Sequence, residues 1–337
     1  MHAFFDSIPA AREGSPACAP LASYRVIAAA GADALSFLHG QVTQDITGLK
    51  PDAAALAGYC TAKGRLLATL VAWRAPGADA NPDGPQLYAL VRDDLADALL
   101  KRLGMFVLRA KAKLSSAPLA AAGVSAAPAQ VEALEAAAGG ALPHAPWQRV
   151  DLPSGTWIGA PAADSQRRWW WIADDAQLQA HGAALSAALS RGDESAWRAA
   201  DLAAGLPWIA QSTQDVFIPQ TVNLDLIGGV NFRKGCYPGQ EVVARSHYRG
   251  TVKRRMAYGT LEGAEAATAG ADVFEAGRAD EPCGRVVDAA TLGQHTAVLF
   301  ETTLASLPAG VLHLGAADGP AITVAALPYP IEPDAAA

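Results

Sequence analysis

The run Lys234-Gly235-Cys236-Tyr237-Pro238-Gly239-Gln240-Glu241 sets one thiol two residues after an ammonium, in a chain of 337 residues with four cysteines. A thiol has a pKa of about 8.5 in water, and a nearby cation or helix N-terminus lowers it by a unit or more. Each unit is worth about 1.4 kcal/mol of preference for the thiolate. The spacing makes Cys236 a candidate nucleophile and Lys234 the group that lowers its pKa. Gly235 and Gly239 open left-handed backbone angles and Pro238 fixes its own φ, so the run reads as a tight, pre-shaped loop. The other reading of such a cysteine is a small buried hydrophobe.

Positioning that loop needs regular structure on either side. Gln240 to Arg245 has the acidic start and apolar middle of a short helix, which sets Cys236 just upstream of a positive helix end. Strands are predicted at 24–29, 54–60, 65–74 and 86–92, and a short helix at 33–40. Asp93-Asp94 starts a helix whose Leu95, Leu99 and Leu103 share one face. Met105 to Leu114 alternates as a strand would, which completes a split βαβ pattern. The first twenty residues read as irregular, and 115–146, rich in Ala, Pro and Gly, as a flexible connection holding one helix near 128–138. Arg168 to Ile172 reads as a strand whose three tryptophans cannot all face one side. Helices follow at 174–189 and 194–204, the second stopped by Gly205. Short strands with glycine turns at 284–287 and 294–300 suggest a small antiparallel barrel. The expected organisation is an irregular segment at 1–20, an α+β domain of two subdomains at 21–250 and a barrel at 251–330.

Composition narrows the function classes. Hydrophobic residues make up 51% of the chain, yet no run approaches the length of a membrane helix. No basic-then-apolar leader opens the sequence, so a cytoplasmic protein with no membrane partner is expected. Cys18, Cys60, Cys236 and Cys283 lack metal-ligand spacing, so no metal is expected. Net charge is −7, but Arg233, Lys234, Arg245, Arg249, Lys253, Arg254 and Arg255 stand against Glu241 alone. A basic stretch on an acidic protein suggests an anion site, for a polycarboxylate or for RNA phosphates. The overall acidity argues against direct, extended nucleic-acid binding.

Three stretches together resemble the YgfZ family. They are Phe37-Leu38-His39-Gly40-Gln41-Val42-Thr43-Gln44-Asp45, Tyr59-Cys60-Thr61-Ala62-Lys63-Gly64-Arg65, and the region from Asp215 to Arg255. The last holds Phe217-Ile218-Pro219-Gln220, Asn223-Leu224, Gly228-Gly229, the octapeptide and Val243-Ala244-Arg245. The resemblance implies an α+β, aminomethyltransferase-like fold akin to the glycine cleavage T protein. That fold has a folate-binding part of split βαβ units and a C-terminal antiparallel β-barrel in a ring-like arrangement. It further implies tetrahydrofolate or a one-carbon derivative as cofactor. The implied partners are iron–sulfur proteins or their assembly factors, with a role in maintaining iron–sulfur enzymes and thereby in tRNA modification.

By the same resemblance, folate contacts fall to Tyr24 and Trp197 and, within the signature, to Tyr237, Gln240, Glu241 and Arg245. Tyr24 stands where the family usually has tryptophan; a phenol stacks on a pterin with less area. T proteins carry carboxylates where this chain reads Leu66-Leu67-Ala68-Thr69-Leu70, and a glutamate where it has Ala203. Both departures disfavour a glycine-cleavage aminomethyltransferase. Three readings stay open: a folate-binding protein supporting iron–sulfur enzymes through Cys236, a one-carbon transferase of unknown acceptor, and a non-catalytic adaptor.

Overall fold

The computed structural model describes residues 2–12, 14–248, 252–263, 267–278, 281–309 and 311–331. The chain forms two compact units. The first takes Met1–Leu38, Ile46–Ala55 and Val71–Trp197, and the second takes His39–Asp45, Leu56–Leu70 and Arg198–Ala337.

The first unit holds a six-stranded sheet in the order β11-β1-β7-β10-β9-β8. Its strands are β1 (Ala17–Pro20), β7 (Ala120–Ala126), β8 (Arg149–Leu152), β9 (Gly155–Gly159), β10 (Arg167–Ala173) and β11 (Ser190–Arg191). The tryptophans of β10 alternate as the pleat requires. Trp169 and Trp171 enter a core with Trp157, Leu134 of α4 (Val131–Ala138) and Leu178 and Leu185 of α5 (Asp175–Ala188). Trp170 meets Trp147 and Trp197 instead, at centroid distances of 5.7 and 6.2 Å. Helix α5 starts in a capping box, Asp174 Oδ1 accepting from the Gln177 N–H and Gln177 Oε1 from the Asp174 N–H.

Two expectations are corrected here. The first twenty residues are not irregular: Phe4 and Phe5 of α1 (Phe4–Ser7) meet Trp171 edge-on at 5.6 and 6.2 Å, and Cys18 of β1 is fully buried. The 115–146 stretch is not a plain connection either, since β7 lies between β1 and β10. Its small side chains serve close packing. A Cβ on Gly123 would stand 2.1 Å from the Trp197 ring, so only glycine admits that indole against the strand.

Also in the first unit, β2 (Tyr24–Ala30) pairs antiparallel with β5 (Pro85–Arg92) and β6 (Lys113–Ser116). Val71–Arg74, the far end of β4 (Leu66–Arg74), pairs with β5. Helix α3 (Asp93–Val107) buries Leu95, Leu99 and Leu103 as its spacing predicts. Its first turn is held by Arg25, whose guanidinium lies 2.6 Å from both Asp93 and Asp97. The strand predicted at 105–114 is a third correction: only its last two residues, Lys113 and Leu114, enter a strand, as the start of β6. The helix runs on to Val107 and stops at Leu108, φ +44°. Met105, Phe106 and Leu108 point into solvent, where an alternating pattern has no second layer to bury it.

In the second unit, β12 (Arg254–Glu262), β13 (Asp272–Glu275), β14 (Gly284–Leu292), β15 (His295–Thr303), β16 (Leu312–Leu314) and β17 (Ala321–Ala325) close a barrel in the order β12-β15-β14-β13-β16-β17. Val273, Val286, Val298, Phe300 and Ile322 fill it, and α8 (Ser306–Ala309) follows β15. Closure leaves no free sheet edge. The second unit also takes Leu56–Cys60 of β3 (Ala54–Cys60), the neighbour of β4, and α7 (Gln240–Tyr248), which follows the octapeptide. Helix α2 (Ala34–His39) ends where the first unit gives way to the second along the chain, and α6 (Glu194–Ala203) begins in the first and finishes in the second. Among the described residues no helix is long and apolar enough to cross a membrane.

Candidate functional site

The second unit brings the three motif stretches together. Thr43 is fully buried; its hydroxyl donates to Gly229 O at 2.6 Å and accepts from the Gly58 N–H at 2.7 Å. The Asn231 N–H donates to Thr43 O at 2.9 Å and Gln44 Nε2 to Gly228 O at 2.6 Å. One threonine thereby ties the 37–45 stretch to the strand before Tyr59 and to the Gly228-Gly229 turn.

The octapeptide seats on the 59–65 turn through paired glycines. Gly64 (φ +74°) and Gly239 (φ +81°) take angles that side chains resist, and a Cβ on Gly239 would stand 2.4 Å from Thr61 O and 2.6 Å from Gly64 Cα. Contact of backbone on backbone fixes the loop before α7, whose Val243 is fully buried. Signature residues around it are likewise held: Gln220 Nε2 donates to Val243 O at 2.7 Å, and Asn223, itself at φ +58°, donates to Met256 O at 2.8 Å.

Lys234 folds back over this frame. Its ammonium donates to His39 O and, at 2.9 Å, to Val42 O, and lies 4.9 Å from the centre of the Tyr237 ring. Burial pushes its pKa down to about 8, with the charges of Asp45 and Cys236 drawing it back up. The ammonium thus binds carbonyls and a ring face as well as bearing on the thiol two residues on. Burial also raises the Tyr237 phenol above its usual range. Cys236 itself is exposed, whereas burial drives Cys18 and Cys60 up to about 12. Gln240 N–H donates to Tyr237 O at 3.2 Å, while Glu241 and Arg245 lie on the exposed face of α7.

A pair that the sequence reading passed over stands against this loop. His39 Nδ1 is 3.1 Å from Asp45 Oδ1, and His39 Nε2 is 3.6 Å from where a Gly235 Cβ would be. Both residues lie inside the 37–45 stretch; six residues apart along the chain, they carried no spacing signal of their own.

Two cations of the basic stretch are neutralised inside the fold. Arg255 is buried, 2.7 Å from Asp225 and 2.9 Å from Gln220 O, and Arg254 Nη2 lies 2.9 Å from Glu301. Arg249 lies outside the described residues, which leaves Arg233, Arg245 and Lys253 as the exposed cations of the set. The anion site expected there shrinks accordingly, because a guanidinium paired inside the fold has no field to offer a ligand.

Tyr24 and Trp197 belong to the first unit. Tyr24 has the Arg92 guanidinium 5.3 Å from its ring centre and borders a cavity of about 440 Å³, shared with Phe5, Leu21, Pro118 and Leu119. Trp197 is 4% exposed, with its ring against Gly123 and the Arg168 guanidinium 3.9 Å from its centre. Arg168 also donates to Trp197 O at 2.9 Å. Among the described residues the buried Nε1–H groups of Trp170 and Trp197 have no acceptor within hydrogen-bond distance.

No protein-family model matches the chain. By sequence it is 36% identical over 231 residues to the tRNA-modifying protein YgfZ of Edwardsiella ictaluri, an alignment covering 67% of this chain and 65% of the relative. The protein of that name from Yersinia enterocolitica is 29% identical over 93% of this chain and 92% of its own. The one from Yersinia pseudotuberculosis is 30% identical, over 86% and 84%. The fold is that of the glycine cleavage system aminomethyltransferase T of Bartonella henselae, with a TM-score of 0.68 over 96% of this chain and 88% of that one at 14% identity. The chain belongs to the YgfZ family.

Proposed function

We propose that the protein binds a reduced folate and, through Cys236, supports iron–sulfur enzymes on which tRNA modification depends. The observation that carries this reading is the state of the thiols. Cys236 stands exposed on a loop locked by Gly64 and Gly239, beside an ammonium, while Cys18 and Cys60 are buried and held protonated. A thiol used for chemistry has to be accessible. The relatives' name, tRNA-modifying protein, supports the wider role.

Buried N–H groups without acceptors are uncommon; among the described residues, the unpaired donors of Trp170 and Trp197 are the first unit's one polar feature that suits an acceptor-rich heterocycle, provided the packing around them opens to admit it. Tyr24 contributes a ring at the edge of its cavity. Bound folate would supply a one-carbon carrier; Leu66 to Leu70 offer no carboxylate to work on its amine, so the chain's own chemistry centres on the thiol. The residues proposed for the folate are Tyr24, Trp197, Tyr237, Gln240, Glu241 and Arg245, and those for the reaction are Cys236 and Lys234.

Two measurements test this. Titration with tetrahydrofolate followed by tryptophan fluorescence should show saturable binding, weakened about tenfold in Trp197→Phe, which keeps a ring and removes the N–H; unchanged affinity takes Trp197 out of the site. In cells, Cys236→Ala should lower iron–sulfur enzyme activity while the purified variant still binds folate. Full activity in that variant makes the thiol incidental and leaves an adaptor.

A further inference from the structure

A second basic segment lies in the first unit, at the end of α3. From Lys101 to Lys113 the chain reads Lys-Arg-Leu-Gly-Met-Phe-Val-Leu-Arg-Ala-Lys-Ala-Lys, and no acidic residue occurs between Asp97 and Glu132. Lys101, Arg109, Lys111 and Lys113 are all exposed. Between them Met105, Phe106 and Leu108 stand 60%, 47% and 87% exposed, the last two of these three flanking the point where the helix stops. Leu108 takes φ +44°, a backbone angle that favours glycine, and carries a large aliphatic group there into water. A strained residue that presents an apolar side chain outward points to a use for that side chain.

We infer that this knuckle is a peripheral docking site for an anionic lipid surface. The charges match such a surface: cations in the headgroup layer are attracted to anionic lipid, and an apolar tip flanked by Lys and Arg buries into the acyl boundary. The protein's overall negative charge opposes this only weakly. The acids that open α3 lie about 22 Å along the helix from Leu108, more than two screening lengths at physiological ionic strength; the near acid, Asp33, accepts the Lys111 N–H at 2.7 Å and still leaves the exposed cations Lys101, Arg109, Lys111 and Lys113 in excess. Nucleic acid accounts for the cations and for Phe106, but it has no apolar layer to receive Leu108 and Met105. A peripheral contact needs no spanning helix, and none is present among the described residues. It is independent of the folate reading.

The test is sedimentation of the full chain with vesicles of equimolar phosphatidylglycerol and phosphatidylcholine, against phosphatidylcholine alone. The protein should pellet with the anionic vesicles, less so as salt rises, and stay in solution with the neutral ones. Phe106→Ser with Leu108→Ser changes only exposed side chains, and circular dichroism should report an intact fold. That pair should lower partitioning by about tenfold, as should Lys111→Glu with Lys113→Glu. Equal behaviour with both vesicle types overturns the proposal. So does binding that the serine pair leaves unchanged and that single-stranded RNA competes away, which is polyelectrolyte attraction alone.

Discussion

Two stretches of this acidic chain are strongly basic, and the fold treats them in opposite ways. Around the octapeptide, Lys234 caps backbone carbonyls, Arg254 meets Glu301 and Arg255 meets Asp225. At the end of α3, Lys101, Arg109, Lys111 and Lys113 face water beside an apolar tip. The difference teaches that a run of cations announces a docking surface only when the fold leaves those cations without internal partners. In the first stretch Lys234, Arg254 and Arg255 hold the architecture together while Arg233, Arg245 and Lys253 stay exposed, and in the second the exposed cations flank an apolar tip.

Substitution should separate the two stretches. The largest effect is expected from Arg255→Met, which strands the buried Asp225 carboxylate and should cost about 3–5 kcal/mol in urea unfolding. Adding Asp225→Leu should recover much of it. Lys111→Glu in the other stretch should change stability by less than about 0.5 kcal/mol; a loss as large as that of Arg255→Met would erase the contrast.

Next comes Gly239→Ala, expected to cost about 2–3 kcal/mol because φ is left-handed and the new methyl meets Thr61 O and Gly64 Cα. Alkylation of Cys236 should slow in it by comparison with Gly77→Ala, whose glycine has open space around it.

The thiols repeat the inward and outward contrast. Cys18 and Cys60 titrate near 8.5 when unfolded and near 12 when folded. Between those values the unfolded state binds fewer protons, so stability falls as pH rises above about 8.5, by up to about 1.4 kcal/mol per pH unit for each thiol. Cys60→Ala should flatten that slope and Cys236→Ala should not. Lys234 acts with the opposite sign. Its folded pKa is depressed to about 8, so between there and its unfolded value the unfolded state binds more protons and stability rises with pH. Lys234→Gln should therefore steepen the alkaline loss.

The smallest effect is Leu108→Gly. Relief of the strained angle outweighs the entropy cost of glycine, so the melting temperature should rise slightly, by the equivalent of about 0.5–1 kcal/mol, while partitioning onto anionic vesicles falls.

Much of the architecture was legible from periodicity and punctuation. Leu95, Leu99 and Leu103 marked the buried face of α3, Gly205 its counterpart's end after α6, and the three tryptophans of β10 had to divide between two sides, as they do. Two failures share a cause. Met105 to Leu108 continued a strand-like pattern but had no layer to face, the strand beginning only at Lys113, and the Ala and Gly of 115–146 looked like a linker while Gly123 was making room for an indole. Periodicity reports what a segment can bury, and says nothing of whether a partner surface exists.

By itself the sequence determined the local material of the site: a cysteine after a lysine, glycines that permit left-handed turns, a short helix next, and motifs specific enough to indicate the family. Only the tertiary structure decided which of these groups meet. It joined Gly239 to Gly64 across a separation of 175 residues, set His39 and Asp45 beside Gly235, paired Arg255 with Asp225 and left the cations of α3 outside. The physical reason is that exposure, desolvation and charge pairing depend on neighbours distant in the chain, whereas backbone freedom and periodicity are properties of a residue and the few beside it.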